Sequence, residues 1–207
     1  MVYVKKPAPD IPEGWKENAR ACCCGNFEEG SWQQELGNRA EVPDAYQMRC
    51  LLAEASATNW SVGTADFATA FLNAHLVDQD DGIYIVKPPQ YLVELGIEEP
   101  NIYWKLNRAV YGLRKAPTKW EETIRNAGLK VLTVEPKEAG DKPLSLLQCP
   151  NTKNIWMIRE LQEDGSHEMV GQLLMYVDDV LARGPTKNVE RVMVDNQKNC
   201  ELPISGI

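Results

Sequence analysis

Two adjacent carboxylates interrupt an apolar stretch late in the chain. They are Asp178 and Asp179, within the sequence LLMYVDDVLA at residues 173–182. Neighbouring carboxylates repel and raise one another's pKa unless a cation neutralises them, and proteins typically bind Mg²⁺ through one or two carboxylates plus substrate phosphates. A hairpin selected only for turning would favour Asn-Gly or Asp-Gly. The segment therefore predicts either a magnesium site or a solvated acidic turn.

A third carboxylate, Asp66, stands at the end of the segment SVGTADF at residues 61–67. Apolar residues follow it, which places the carboxylate at the end of a strand. By itself Asp66 could equally be the N-cap of a helix. Together with Asp178 and Asp179 it supplies three carboxylates on two neighbouring strands. Three are the minimum for holding two metal ions about 4 Å apart in a phosphoryl or nucleotidyl transfer.

Strands and helices that could position these carboxylates alternate irregularly along the chain. Apolar residues at helical spacing predict a helix over 43–58, and Thr118, followed by Glu121 and Glu122, predicts a helix start for 118–129. A closing helix is predicted over 187–198, and residues 1–15 form an extended arm without a packing pattern. The predicted strands are 60–67, 82–86, 102–106, 144–148, 154–161 and 168–176, the last continuing through the Asp doublet into 180–181. Without a regular βαβ rhythm, the order predicts an α+β fold with a mostly antiparallel sheet.

Length and charge limit the possible classes of protein. The 207 residues carry 30 Asp and Glu against 22 Lys and Arg, a net charge of −8, which fits one domain or one and a half. An acidic chain does not hold nucleic acid by bulk charge, so any such function must be local. No stretch approaches the roughly 20 apolar residues of a membrane-spanning helix. We expect an intracellular protein, in the cytoplasm or nucleus.

Six cysteines show no zinc-binding spacing. Three are consecutive, at 22–24, and the others are scattered at 50, 149 and 200; only His75 and His167 could assist them. The spacing favours buried free thiols over a structural zinc site.

Four blocks in order carry a resemblance to a known family. They are DFATAFLN at 66–73, IYIVKPP at 83–89, AVYGLRKAP at 109–117 with Trp120, and LMYVDD at 174–179. Their order and spacing resemble the reverse transcriptase of Ty1/copia-type retrotransposons, over roughly residues 16–200.

This resemblance implies the fingers and palm of a right-hand polymerase, the palm being a ferredoxin-like antiparallel sheet backed by helices. The chain would be one truncated reverse transcriptase domain from a Pol polyprotein. It would comprise the arm 1–15, a fingers remnant 16–41, and a palm 42–200 with inserted fingers strands. We expect no thumb, ribonuclease H or integrase, and hence a weak hold on template and primer.

The resemblance also assigns residues. Asp66, Asp178 and Asp179 would be the catalytic carboxylates and ligands of two Mg²⁺ ions, the first two being the main ligands. Phe71 would pack under the deoxyribose and exclude a 2′-hydroxyl, Tyr111 and Gly112 would line the incoming dNTP and the template, and Arg20 would bind the triphosphate. Without the resemblance, Phe71 could be a core residue and Tyr111 a strand aromatic.

Three positions depart from the family pattern. Asn18 stands where a Lys is usual, Cys24 where a second cation is usual, and Lys115 in place of Gln. Each lost cation removes charge-assisted contacts worth roughly 1.5–3 kcal/mol. The functions consistent with the sequence are an RNA-directed DNA polymerase fragment acting on an RNA or DNA template-primer, an inactive retroelement remnant that keeps the fold, and a ferredoxin-like RNA-binding module. The third would require an RNP-type aromatic pattern, which the sequence lacks.

Overall fold

The chain divides into two units in the computed structural model. The structure describes residues 2–25, 42–76, 82–129, 133–199 and 204–205. Unit 1 comprises Met1–Arg39 and Ala74–Lys119, and unit 2 comprises Ala40–Asn73 and Trp120–Ile207. The chain therefore leaves unit 2 after Asn73 and returns to it at Trp120.

The elements follow one another in chain order. They are β1 (Val2–Pro7), β2 (Trp15–Arg20), α1 (Ala45–Thr58), β3 (Ser61–Phe67), α2 (Ala70–Asn73), β4 (Ile85–Val86), α3 (Gln90–Glu94), β5 (Trp104–Lys105), α4 (Ala116–Thr123) with a π-helical segment (Ile124–Leu129), β6 (Thr133–Val134), β7 (Leu144–Gln148), β8 (Ile155–Leu161), β9 (His167–Tyr176), β10 (Asp179–Gly184), α5 (Thr186–Asn199) and β11 (Ile204–Ser205).

Unit 1 contains two small antiparallel sheets, β1 with β2 and β4 with β5. The N-terminal segment is therefore not an unpartnered arm, because β1 pairs along its whole length with β2, from Val2 opposite Arg20 to Pro7 opposite Trp15. Backbone hydrogen bonds hold such a ribbon together and leave little hydrophobic pattern in the sequence. The predicted strands over 82–86 and 102–106 are present but only two residues long, Ile85–Val86 and Trp104–Lys105.

Unit 2 is built on a seven-stranded sheet in the order β11-β3-β10-β9-β8-β7-β6. Every neighbouring pair in it is antiparallel, which confirms the predicted α+β class with an antiparallel sheet. The hairpin of β9 and β10 places β10 between β9 and β3, at the centre of the region that carries the predicted carboxylates.

Helices cover both faces of this sheet. On one face, Phe67 of β3 packs against Trp120 of α4, and Val189 of α5 lies so close to Gly63 that a Cβ there would stand 2.9 Å away. On the other face, the buried Arg183 of β10 forms an ion pair with Glu54 of α1. Asp66 and Asp179 lie on this second face, because side chains alternate along each strand.

Helix α1 agrees with its prediction. Asp44 is its N-cap and forms a capping box with Gln47, while Asn59 ends the helix in the left-handed conformation at φ 54°. Such caps satisfy the backbone groups that a helix end leaves unpaired.

Helix α4 begins earlier than the sequence predicts. It starts at Ala116, with Pro117 in the first turn, where its missing N–H removes no helical hydrogen bond. Glu121 and Glu122 consequently lie beyond the first turn, and residues 124–129 are π-helical.

The cysteines also differ from expectation. Cys22 and Cys24 are exposed and Cys23, Cys50 and Cys149 are half-buried, so the prediction of burial is wrong for all five. None of these five described cysteines forms a disulfide bond. Cys200 lies outside the described residues. Among the helices described here, none is long and apolar enough to cross a membrane.

Candidate active site

Asp66, Asp179 and Tyr176 form a row across three adjacent strands of unit 2. Asp66 of β3 lies opposite Asp179 of β10, and Asp179 lies opposite Tyr176 of β9. Directly opposed residues of an antiparallel sheet point to the same face and stand about 5 Å apart at their Cβ atoms. The pairing therefore brings together two of the three carboxylates that the sequence singles out.

The third carboxylate, Asp178, belongs to the two-residue turn of the β9–β10 hairpin. Tyr176 is the last residue of β9 and Asp179 the first of β10, so the turn consists of Val177 and Asp178, not of the Asp doublet. Val177 has a φ of 57°, which β-branched residues very seldom adopt. A backbone of this kind costs on the order of 1–3 kcal/mol and persists only where surrounding contacts hold it.

Two hydrogen bonds hold this turn. The Phe67 backbone N–H donates to the Asp178 carbonyl oxygen at 2.7 Å, and the Trp120 indole N–H donates to the Val177 carbonyl oxygen at 2.6 Å. The rings of Phe67 and Trp120 pack edge to face, with centroids 5.3 Å apart and planes at 76°. Both tethers therefore come from one packed aromatic pair beneath the turn.

The environment of Asp179 disfavours its charged form. Asp179 is an exposed residue, but partial desolvation of its carboxyl group, then the charge of Asp178 and then that of Asp66, raise the pKa of Asp179 above its usual value. Asp179 also lines a cavity of about 230 Å³ on the same face, together with the apolar side chains of Met48, Leu174 and Leu181. The three carboxylates are thus close enough to interact electrostatically.

The donor set fits a hard divalent cation in its chemistry. Mg²⁺ prefers carboxylate oxygens and often needs only one or two from the protein when phosphates supply others. Among the residues that the structure describes, no group of three or more His, Cys, Asp and Glu side chains is arranged to hold a metal ion. Asp66 and Asp178 would hold such an ion in combination with a ligand's phosphates, and Asp179 adds negative charge beside them.

Phe71 lies in the four-residue helix α2, five positions after Asp66. It is half-buried and so is not a fully enclosed core residue. The Asn73 side-chain amide donates to the carbonyl oxygens of Ala68 and Thr69, at 3.1 and 3.4 Å, and Thr69 has a φ of 54°. These contacts fix the tight connection from β3 to the helix that carries Phe71.

Three of the predicted nucleotide ligands meet in unit 1. The Arg20 guanidinium carbon lies 5.4 Å from the centroid of the Tyr111 ring, and the Cys23 backbone N–H donates to the Tyr111 carbonyl oxygen at 2.7 Å. Tyr111 lies in a turn, so its interpretation as a strand aromatic is wrong. Gly112 has a φ of 90°, and a Cβ there would come within 2.1 Å of the Cys23 carbonyl oxygen. Only glycine fits this position.

The residues predicted from the sequence thus fall into two sets. Unit 1 holds Arg20, Tyr111 and Gly112, and unit 2 holds Asp66, Phe71, Asp178 and Asp179. Of the predicted fingers remnant 16–41, the structure describes residues 16–25. Sequence reasoning missed Cys23 and left Trp120 without a role. Their contacts join distant parts of the chain. The only hint in the sequence was that Trp120 accompanies the block at 109–117 that resembles the retrotransposon family.

Comparisons with known proteins identify the family of this chain. Residues 20–141 match the family model described as reverse transcriptase (RNA-dependent DNA polymerase). This range includes Asp66, Phe71, Tyr111 and Gly112 and ends before the β9–β10 turn. The match covers more than half of the chain, which therefore belongs to the reverse transcriptase family.

The curated relatives are proteins of retrotransposons, which confirms the resemblance. The chain is 28% identical over 149 residues to the retrovirus-related Pol polyprotein from transposon RE1 of Arabidopsis thaliana, covering 72% of this chain and 8% of that protein. It is 27% identical over 137 residues to the corresponding RE2 polyprotein, covering 66% and 8%. It is 38% identical over 66 residues to a putative transposon Ty5-1 protein of Saccharomyces cerevisiae, covering 32% and 20%. The chain thus spans a fifth or less of each relative, and no solved structure matches it significantly.

Proposed function

We propose that this chain is the fingers and palm part of an RNA-directed DNA polymerase of a copia-type retrotransposon, which transfers a nucleotide from a dNTP to a primer 3′-hydroxyl. The observation that carries the proposal is the pairing of Asp66 with Asp179 beside the turn residue Asp178. Family membership supports it, because residues 20–141 match the reverse transcriptase model.

In this proposal, unit 2 is the palm and unit 1 the fingers. The chain leaves unit 2 after Asn73 and returns at Trp120, as expected for fingers strands inserted into a palm. The hairpin of β1 and β2 then belongs to the fingers, together with the rest of the segment 16–41. The chain would be one part of a longer Pol polyprotein. The seven-stranded sheet of unit 2 would then correspond to the ferredoxin-like palm sheet that the resemblance implies.

Asp66 and Asp178 would hold two Mg²⁺ ions, with Asp179 as the third carboxylate of the site. When bound, such ions lower the pKa of a hydroxyl nucleophile and neutralise charge on the transferred phosphate and the leaving pyrophosphate. The protein's own contribution is to keep the carboxylates at a fixed place, since β3, β10 and the tethered turn are all parts of one sheet.

The remaining residues would bind and select the dNTP. Arg20 is a cation at the end of β2 and would donate charge-assisted hydrogen bonds to the triphosphate. The turn at Tyr111 and Gly112 would line the incoming dNTP and the template, and the missing Cβ of Gly112 lets this turn pack against the Cys23 backbone. The half-buried Phe71 would leave no polar partner for a 2′-hydroxyl, so that it would select deoxynucleotides.

Two other functions stay open as alternatives. Asn18 and Cys24 stand where the family pattern has cations, which favours a remnant that keeps the fold without catalysis. The ferredoxin-like sheet would also suit an RNA-binding module, for which the sequence lacks the aromatic pattern.

Primer extension separates these functions. The chain is incubated with an RNA template, a labelled DNA primer, Mg²⁺ and one complementary dNTP, and addition of a single nucleotide is measured by gel. Templated addition that EDTA abolishes supports the polymerase. RNA binding without addition supports the binding module, and neither binding nor addition supports the remnant; either result would contradict the proposal.

A further inference from the structure

Trp120 lies directly beneath the turn that carries Asp178. Its side chain is 1% exposed, and its indole N–H donates to the Val177 carbonyl oxygen. Because a buried indole N–H needs a partner, packing alone does not explain why a tryptophan stands here. Phenylalanine or leucine would fill much of the same space without bringing a donor into the core.

The hydrogen bond from Trp120 is accepted by a backbone segment with an unusual conformation. Val177 adopts a left-handed conformation despite its branched side chain, so the turn depends on contacts from outside the hairpin. The Val177 carbonyl oxygen accepts a hydrogen bond from the Trp120 indole, and the Asp178 carbonyl oxygen accepts one from the Phe67 backbone N–H. Phe67 is itself 1% exposed and packs edge to face on Trp120.

We propose that Trp120 is a positioning residue of the carboxylate site, whose indole N–H fixes the Val177–Asp178 turn relative to Asp66. The inference rests on the proposed function. Asp66 immediately precedes Phe67, so the Trp120–Phe67 pair connects the strand end that carries Asp66 with the turn that carries Asp178. Loss of the indole N–H removes one of the two tethers while the sheet pairing of Asp66 with Asp179 stays in place.

The first test is the variant Trp120→Phe, which keeps an aromatic ring and removes the donor. We expect a folded protein whose kcat for single-nucleotide addition falls about 10-fold to 100-fold and whose half-saturating Mg²⁺ concentration rises. KM for dNTP should change less than about threefold, because Arg20 and Tyr111 would provide much of the nucleotide binding. Loss of rotational and positional control over a reacting group has effects of this order.

The second measurement does not depend on activity. Amide hydrogen exchange at residues 177–179 should become about 10-fold faster in Trp120→Phe, while exchange in the distant turn at Asp164–Ser166 stays unchanged. Trp156→Phe is the matched control, since Trp156 is also buried in unit 2, on β8 opposite Leu173. It should lower Tm without changing kcat, the Mg²⁺ requirement or exchange at the turn.

A third variant guards against general misfolding. Replacing the Trp120 indole with an isosteric benzothiophene keeps the size of the side chain and removes only the N–H donor, and it should reproduce the faster exchange at residues 177–179. If the isostere and Trp120→Phe both leave exchange and kcat within twofold of the parent, Trp120 is only a core residue and the inference is wrong. If the parent adds no nucleotide, the proposed function fails, whereas the exchange result still decides whether Trp120 holds the turn.

Discussion

Asp66 of β3 stands directly opposite Asp179 of β10, so two like charges share one cross-strand position. Like charges at such positions destabilise a sheet, and Asp178 in the adjoining turn adds a third. A stable fold has no need of this arrangement. It is explained if the carboxylates serve to bind cations.

The first prediction concerns Asp179→Asn. Because the pKa of Asp179 is raised in the folded protein, the folded state retains its proton to higher pH than the unfolded state, and stability falls as pH rises through this range. Asp179→Asn should therefore match the parent below the ordinary pKa of 3.8. At pH 7 it should be more stable by no more than about 0.5 kcal/mol, because water screens the charge of this exposed residue. Urea unfolding from pH 3 to pH 7 measures the difference.

Asp164→Asn provides a control of opposite sign. Hydrogen bonds from the Ser166 side chain, and then from its backbone, lower the pKa of Asp164. Its charge therefore contributes stability above the ordinary pKa, which is lost as pH falls through the lowered value. Asp164→Asn should be less stable than the parent at pH 7, and a gain in stability there, or a loss for Asp179→Asn, would contradict this account of the charges.

The second prediction concerns Gly112. A Cβ at this position would overlap the Cys23 carbonyl oxygen at 2.1 Å and would also meet a φ of 90°. Gly112→Ala should lower the free energy of unfolding by at least about 2 kcal/mol, since backbone must move. Gly96→Ala in the same unit has a φ of 68° and open space around its Cβ, so it should lose only about 1 kcal/mol. Equal losses in chemical denaturation would show that the close approach to Cys23 is absent.

The third prediction tests how α1 is attached to the sheet. Arg183 is buried and contacts Glu54, the Gln172 side chain at 2.9 Å and the Trp60 ring at 5.1 Å. Glu54→Gln leaves a buried guanidinium without its carboxylate and should lower the free energy of unfolding by about 1–2 kcal/mol.

Glu138→Gln is the matched control for this pair. Glu138 pairs with Lys187 at the surface, and Lys187 keeps Asp141 as a second partner at 2.6 Å. The substitution should change the free energy of unfolding by less than about 0.5 kcal/mol. A loss as large as that of Glu54→Gln would show that burial of Arg183 makes no difference.

The sequence predicts the elements of unit 2 more closely than those of unit 1. Strand β7 has its predicted bounds and β3, β8 and β9 lie within one residue of theirs, because alternating side chains pack against helices on a buried face. Strand β1 was missed because it pairs with a single partner, and its residues 5–7 are exposed. The start of α4 is predicted two residues too late, because Glu121 and Glu122 are assigned to the first turn. The helix in fact begins at Ala116 and accommodates Pro117 in its first turn.

The candidate site, too, could be predicted from the sequence only in part. Residue types and order predict the carboxylates, but whether Asp66 faces Asp178 or Asp179 depends on strand register, which only the packed sheet determines. The roles of Trp120 and Cys23 arise from hydrogen bonds across 57 and 88 residues of chain, and no local pattern in the sequence encodes such contacts.

The most direct test of the central claim is the rate of templated single-nucleotide addition in three variants. Asp66→Asn and Asp178→Asn each remove one proposed Mg²⁺ ligand, whereas Asp164→Asn removes the same charge from the exposed turn between β8 and β9. We predict that the first two lose at least about 100-fold in rate, since a metal ion stabilises the transition state by several kcal/mol. Asp164→Asn should stay within about twofold of the parent. Equal rates in all three variants, or no addition by the parent, would contradict the assignment of these carboxylates as the catalytic site.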